Sequence, residues 1–146
     1  MNEMNVSLKA ILDKEDWLIT SLSNASAVLN EYLDDINWVG FYLMKDGDLV
    51  LGPFQGKSAC VRIKVGKGVC GTCVMEDKTQ LVADVHKFPG HIACDSASNS
   101  EIVIPIHHNG EVVGVLDIDS PLFDRFSEED KENLEESVKI IESIWK

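Results

Sequence analysis

The sequence predicts an α+β sandwich, with helices on one face of an antiparallel sheet and a pocket on the other. Three observations predict it. Apolar residues recur at helical spacing at both ends of the chain. Two turn signals, Asp46-Gly47 and Asn109-Gly110, each lie between strand-like runs. The stretch between the hairpins, residues 55–100, is rich in Gly, Cys, Ser and His and long for a plain connection.

The first segment reads as helix. Leu8, Ile11, Leu12, Leu18, Leu22, Ala25, Leu29 and Tyr32 draw one apolar stripe, with Asn24 and Ser26 expected to soften its middle. "NWVGFYLMKDGDLVLGPF" reads as two short strands around Asp46-Gly47, a favoured hairpin turn. In the middle region, "GVCGTCVMEDKT" could hold a short helix. "EIVIPIHHNGEVVGVLDIDS" reads as a second hairpin. Its period of two puts Val113, Val115, Asp117 and Asp119 on one face, and Val112, Leu116 and Ile118 on the other. The last segment is helical again. Ser127 and Asp130 form a capping-box pattern, followed by a buried face of Leu134, Val138, Ile141 and Trp145. Both terminal helices are expected to pack side by side against the sheet.

Length and composition narrow the function classes. A chain of 146 residues, 45% hydrophobic and 26% charged, suits one domain spanning 1–146, with no repeat or linker dividing it. The net charge of −12 offers no basic patch for phosphates, which argues against nucleic acid. It favours cationic ligands or basic partners instead. The N-terminus lacks a secretory pattern and no apolar run reaches the ~20 residues of a membrane span. A cytoplasmic location is therefore expected, where thiols are kept reduced.

That expectation gives the four cysteines meaning. Cys60, Cys70, Cys73 and Cys94 all fall in or beside the middle region. Cys70 and Cys73 form a CxxC pair, and His86 and His91 are near in sequence. A zinc ribbon normally has two close pairs and only one is present, so a metal site is poorly supported. A thioredoxin-like motif would need a parallel βαβ unit, which the pattern lacks. The plain alternative is burial as small hydrophobes, the default for Cys73. Four cysteines gathered in one loop region weaken that reading for the set.

The carboxylates pose a problem. In "GHIACDSASNSE", Asp95 follows Cys94 directly and Glu101 is close. Negative charge makes a thiolate harder to form. Asp95 by itself suits a turn or helix cap. Asp117 and Asp119 end an apolar strand on one face. If that face lines a pocket, crowding raises their pKa values and one can act as an acid. Trp38 and Tyr42 share a face of the first hairpin. They are either core or an aromatic wall for a small apolar group.

At these residues a resemblance becomes specific. "NWVGFY", "FQGKSACVRIKVGKGVCG", "DVHKFPGHIACDSASNSEIVIPI" and "GEVVGVLDIDS" closely resemble the free methionine-(R)-sulfoxide reductases, enzymes built on a single GAF domain. The likeness runs over residues 37–120. It implies a GAF-like fold and reduction of free L-methionine (R)-S-oxide, rather than oxidised methionine in proteins. It places the family's functional cysteines on Cys60, Cys70 and Cys94. Its pocket carboxylates fall on Glu101, Asp117 and Asp119, and its aromatics on Trp38 and Tyr42. Cys73 is not among the three, so it is a spare thiol or an alternative resolving partner.

The chemistry this implies begins with the substrate's amine binding among the carboxylates, while Trp38 and Tyr42 hold the methyl and sulfur end. Cys94 attacks the sulfur and becomes a sulfenic acid. Cys70 or Cys60 then closes a disulfide, which thioredoxin or a similar dithiol reductant reopens. The reverse assignment, with Cys70 attacking and Cys94 resolving, is also open. No metal or organic cofactor is called for. Bound substrate, helix N–H groups, or His86 or His91 would offset the cost to the thiolate. A homodimer through the terminal helices is compatible with the pattern. The rival function is a stand-alone GAF small-molecule sensor without turnover, for which three spaced cysteines would have no use.

Overall fold

The computed structural model describes residues 1–14, 17–90 and 97–146. Helices α1 (Glu3–Leu12) and α2 (Leu18–Tyr32) open the chain and α4 (Glu128–Ser143) closes it. The first segment is thus two helices, not one. The reason is legible in the spacing. Leu18 is six positions after Leu12, which on a continuous helix would place them roughly 120° apart. Ending α1 at Leu12 and starting α2 at Leu18 restores a shared apolar face, and Leu8, Leu12, Leu22, Ala25 and Leu29 are all buried. Helix α2 runs without a break through Ser26. The Ser26 hydroxyl is buried and donates to Leu22 O at 2.9 Å. At α4 the expected capping box forms: Ser127 N donates to Asp130 Oδ2 at 2.8 Å, and Asp130 N to Ser127 Oγ at 3.1 Å. Among the described residues, no helix is long and apolar enough to cross a membrane.

Six strands form one antiparallel sheet. They are β1 (Trp38–Lys45), β2 (Asp48–Gly56), β3 (Arg62–Lys64), β4 (Gln80–Val82), β5 (Ser100–His108) and β6 (Glu111–Ser120), in spatial order β3-β2-β1-β6-β5-β4. Both hairpins close on the expected dipeptides. Asp46 and Gly47 have φ of 55° and 81°, and Asn109 and Gly110 have 53° and 79°. Two successive left-handed residues suit a tight hairpin turn. The sequence reading missed β3 and β4, each only three residues long and too short to show a period. The proposed middle helix exists as α3 (Gly68–Glu76).

Two apolar clusters sandwich the sheet. One joins α1, α2 and α4 to Val39, Phe41, Ile102, Ile104, Ile106, Leu116 and Ile118. The other, on the opposite face, joins Trp38, Tyr42, Val103 and Val115 to Val69, Cys70 and Cys73 of α3. The expected alternation along β6 holds for Val115, Leu116, Asp117 and Ile118 but fails at Val113. Ile106 pairs with Gly114 and His107 with Val112, so Val113 is an extra residue in a bulge. The bulge turns Val113 to the helix side, where it packs with the first cluster. Trp145, expected in the buried face, is partly buried there.

Candidate active site

The strand register assembles one wall of a cavity. Trp38 of β1 pairs with Asp119 of β6, which pairs with Glu101 of β5. One row along, Gly40, Asp117 and Val103 are neighbours in the same way. Directly paired residues on one face have Cβ atoms ~4.5–5.5 Å apart. Three strands therefore bring three carboxylates and an indole together from distant parts of the chain.

The aromatic part is locked in place. Trp38 stacks on Tyr42, with centroids 6.0 Å apart, and on Phe54 at 5.2 Å with only 16° between planes. Gly40 makes the second stack feasible. A Cβ there would sit 2.2 Å from Phe54 Cβ. Trp38 Nε1 donates to Lys57 O at 3.0 Å, and the Tyr42 hydroxyl donates to Cys60 O at 2.8 Å. These bonds satisfy the polar ends of two buried rings. They also tie the segment carrying Cys60 to β1.

Helix α3 forms the facing wall. Gly71 lets it approach β3, since a Cβ there would lie 2.4 Å from Lys64 O. This puts Gly68, Val69 and Cys70 on the cavity, with Lys67, Ser58, Ala59, Ile63 and Ser98 completing the lining. The space is about 570 Å³ including its open mouth.

Electrostatics dominate the floor. Cys70 Sγ and carboxylate oxygens of Glu101 and Asp117 lie within 4.8 Å of one another, and all three residues are buried. Burial, then the charges of Asp117 and Asp119, push the Glu101 carboxyl well above its ordinary 4.5. Burial also raises Asp117, against hydrogen bonds from Glu101 and Cys70 that favour its anion. Burial and the neighbouring carboxylates push the Cys70 thiol well up. Burial thus favours the protonated forms of Glu101 and Cys70, while the hydrogen bonds they give Asp117 favour its anion. Asp117 Oδ1 is buried without a hydrogen-bond partner among the described residues. Leaving such an oxygen unmet costs ~1–3 kcal/mol, so a donor from a ligand is the natural complement.

Of the residues singled out from the sequence, Trp38, Tyr42, Cys70, Glu101, Asp117 and Asp119 all line this cavity. Cys94, Asp95 and His91 lie outside the described residues. Cys60 is disulfide-bonded, whereas Cys70 and Cys73 are free. Cys73 is fully buried in the second cluster and does not line the cavity. His86 is exposed, bonds Asn99 at 2.9 Å and does not line it either. Among the described residues, the group that could hold a metal is Cys70, Glu101 and Asp117, not the CxxC pair with a histidine. Sequence reasoning missed Phe54, Lys67 and Ser98. Only Lys67 carried a signal, standing just before the glycine that opens α3.

Comparisons with known proteins agree with this geometry. A family model for the GAF domain matches residues 22–145. A free methionine-R-sulfoxide reductase of Escherichia coli (strain K12) is 53% identical over 142 residues, covering 97% of this chain and 86% of that protein. A Staphylococcus aureus fRMsr in complex with substrate superposes with a TM-score of 0.94 at 55% identity, covering 98% and 94% of the two chains. The free methionine-R-sulfoxide reductase from Neisseria meningitidis, in complex with its substrate, gives a TM-score of 0.95 at 42% identity over 98% and 86%.

Proposed function

This chain belongs to the free methionine-R-sulfoxide reductases of the GAF-domain family, and from that premise we propose that it reduces free L-methionine (R)-S-oxide to L-methionine by thiol chemistry. The observation that carries the reading is the crowding of Glu101, Asp117 and Asp119 beside an aromatic wall in one cavity. Such a site rejects anions. It suits a ligand with a cationic amine, an apolar methyl group and an oxygen that must leave protonated.

The roles follow from the environments. The ligand's amine donates to Asp117 Oδ1 and to Asp119 through charge-assisted hydrogen bonds. Trp38 and Tyr42 hold the methyl and sulfur end. Cys94 attacks the sulfoxide sulfur as a thiolate. Glu101, kept neutral by burial and its acidic neighbours, protonates the oxygen. The S–O bond of the substrate breaks, methionine leaves, and Cys94 retains the oxygen as a sulfenic acid. The Cys60 thiol displaces that oxygen as water and closes a disulfide with Cys94. Two electrons from a dithiol reductant such as thioredoxin reopen it.

Cys60 being disulfide-bonded while Cys70 is free supports Cys60 as the resolving thiol. The raised Cys70 thiol argues against Cys70 as attacker. Its place beside Asp117 fits a hydrogen-bond donor that keeps that carboxylate ionised. We read residues 1–146 as one domain acting in the cytoplasm, where dithiol reductants operate.

The test is thioredoxin-coupled NADPH consumption with separate R and S epimers of free methionine sulfoxide. Turnover of the R epimer alone is expected. No turnover of either epimer, together with tight binding of some other small molecule, would establish a sensor instead.

A further inference from the structure

We infer that Lys67 binds the α-carboxylate of the substrate and so helps the site select a free amino acid over the same residue within a peptide. The inference rests on the reductase reading above. Among the described residues lining the cavity, Lys67 is the one cationic side chain. The other charged lining residues are Glu101, Asp117 and Asp119. The cavity therefore has two poles of unequal strength. The buried Asp117 Oδ1, unpartnered among the described residues, marks where the ligand's cation belongs. A free amino acid carries its carboxylate on the same carbon as that amine, so its anion lies within a few ångströms of its cation.

Lys67 lines the same cavity as the acidic cluster. It is three residues before Cys70, whose sulfur is within 4.8 Å of the acidic pair. Among the described residues, Lys67 forms no ion pair. It is also the N-cap residue of α3, and no side chain caps that helix. The N-terminal end of α3 adds its partial positive charge to the same place. A methionine sulfoxide inside a peptide presents a neutral amide there and a neutral amide in place of the amine. It loses both poles at once.

The experiment crosses two substrates with two side chains. At a pH where both α-amines are protonated, free methionine-(R)-sulfoxide and its primary amide differ only in the charge of the carboxyl end. Wild type, Lys67→Ala and Lys67→Glu are assayed on both, with thermal melts to verify folding. Wild type is expected to prefer the acid by about tenfold or more in kcat/KM, the scale of hydrogen bonds to a charged group. Because Lys67 is exposed, Lys67→Ala should raise KM for the acid by about 2–5-fold with kcat little changed. Lys67→Glu should cost the acid on the order of tenfold, through like-charge repulsion. Neither variant should weaken turnover of the amide by more than about twofold, since it has no carboxylate charge to lose. Equal losses for acid and amide would overturn the assignment. So would a wild type that turns over both equally. If wild type reduces neither substrate, the reductase reading fails first, and that result is distinct from the other two.

Discussion

A carboxyl group surrounded by other carboxyl groups keeps its proton to a higher pH than it would in water, and Glu101 is in that position. Burial is the larger cause and Asp117 and Asp119 the next. Because the folded group holds its proton more tightly, its neutral form stabilises the fold below its ordinary pKa of 4.5. That contribution fades as pH rises from there through the raised value. Glu101→Gln should therefore make melting temperature fall less steeply with rising pH, while lowering kcat/KM by on the order of 10²–10⁴ through loss of the proton donor. An unchanged kcat/KM would remove Glu101 from the chemistry. At this scale the sequence carried much of the information. The carboxylates and aromatics could be named because the motifs around them are specific. The difference between Cys70 and Cys60 could not, because bonding and burial decide it and neither leaves a mark on spacing. Phe54 was invisible for a similar reason. It matters through its stack on Trp38, and that depends on Gly40 lying opposite it in the register.

Among the elements, α3 depends most on a single absent atom. Gly71 faces Lys64 O, and a Cβ would approach to 2.4 Å. Backbone cannot yield as a side-chain tip can, so Gly71→Ala should push α3 away from β3. A stability loss of about 1–3 kcal/mol is expected from such overpacking. A raised KM should accompany it, because the displaced helix carries Cys70 and Lys67 at the cavity. Wild-type stability and KM in this variant would show that α3 is not positioned by this contact. The hairpins and α4 were legible because their signals are local: a turn dipeptide, a capping box, an apolar period. The break between α1 and α2 was also present in the spacing, as a phase jump, but a stripe read only by its intervals conceals it. The Val113 bulge was not readable. Period two assumes regular pairing, and only the partner strand shows where a residue is left over.

At the scale of the molecule, the fold decides which charges meet. The two faces of the sheet divide the labour: helices bury one face in a continuous apolar core, and the other carries α3 and the cavity. The net charge of −12 already disfavoured anionic ligands. The sheet register concentrates part of that charge at one buried place. A ligand lacking the cationic amine should then bind poorly. N-acetyl-methionine-(R)-sulfoxide is expected to lose about 10–100-fold in kcat/KM relative to the free amino acid, the scale of charge-assisted hydrogen bonds left unmade. Equal turnover would mean that the acidic cluster does not read the amine. Asp95 and Glu101, which follow Cys94 in sequence, thus make sense for a substrate that brings its own cation and needs a proton.

The most direct test of the central claim, that Cys94 attacks and Cys60 resolves, is methionine release per monomer in a single turnover without recycling reductant. Pre-reduced Cys60→Ser protein should release one equivalent and then stop, and Cys94→Ser protein should release none. One full equivalent from Cys94→Ser would contradict the account and return the attacking role to another thiol.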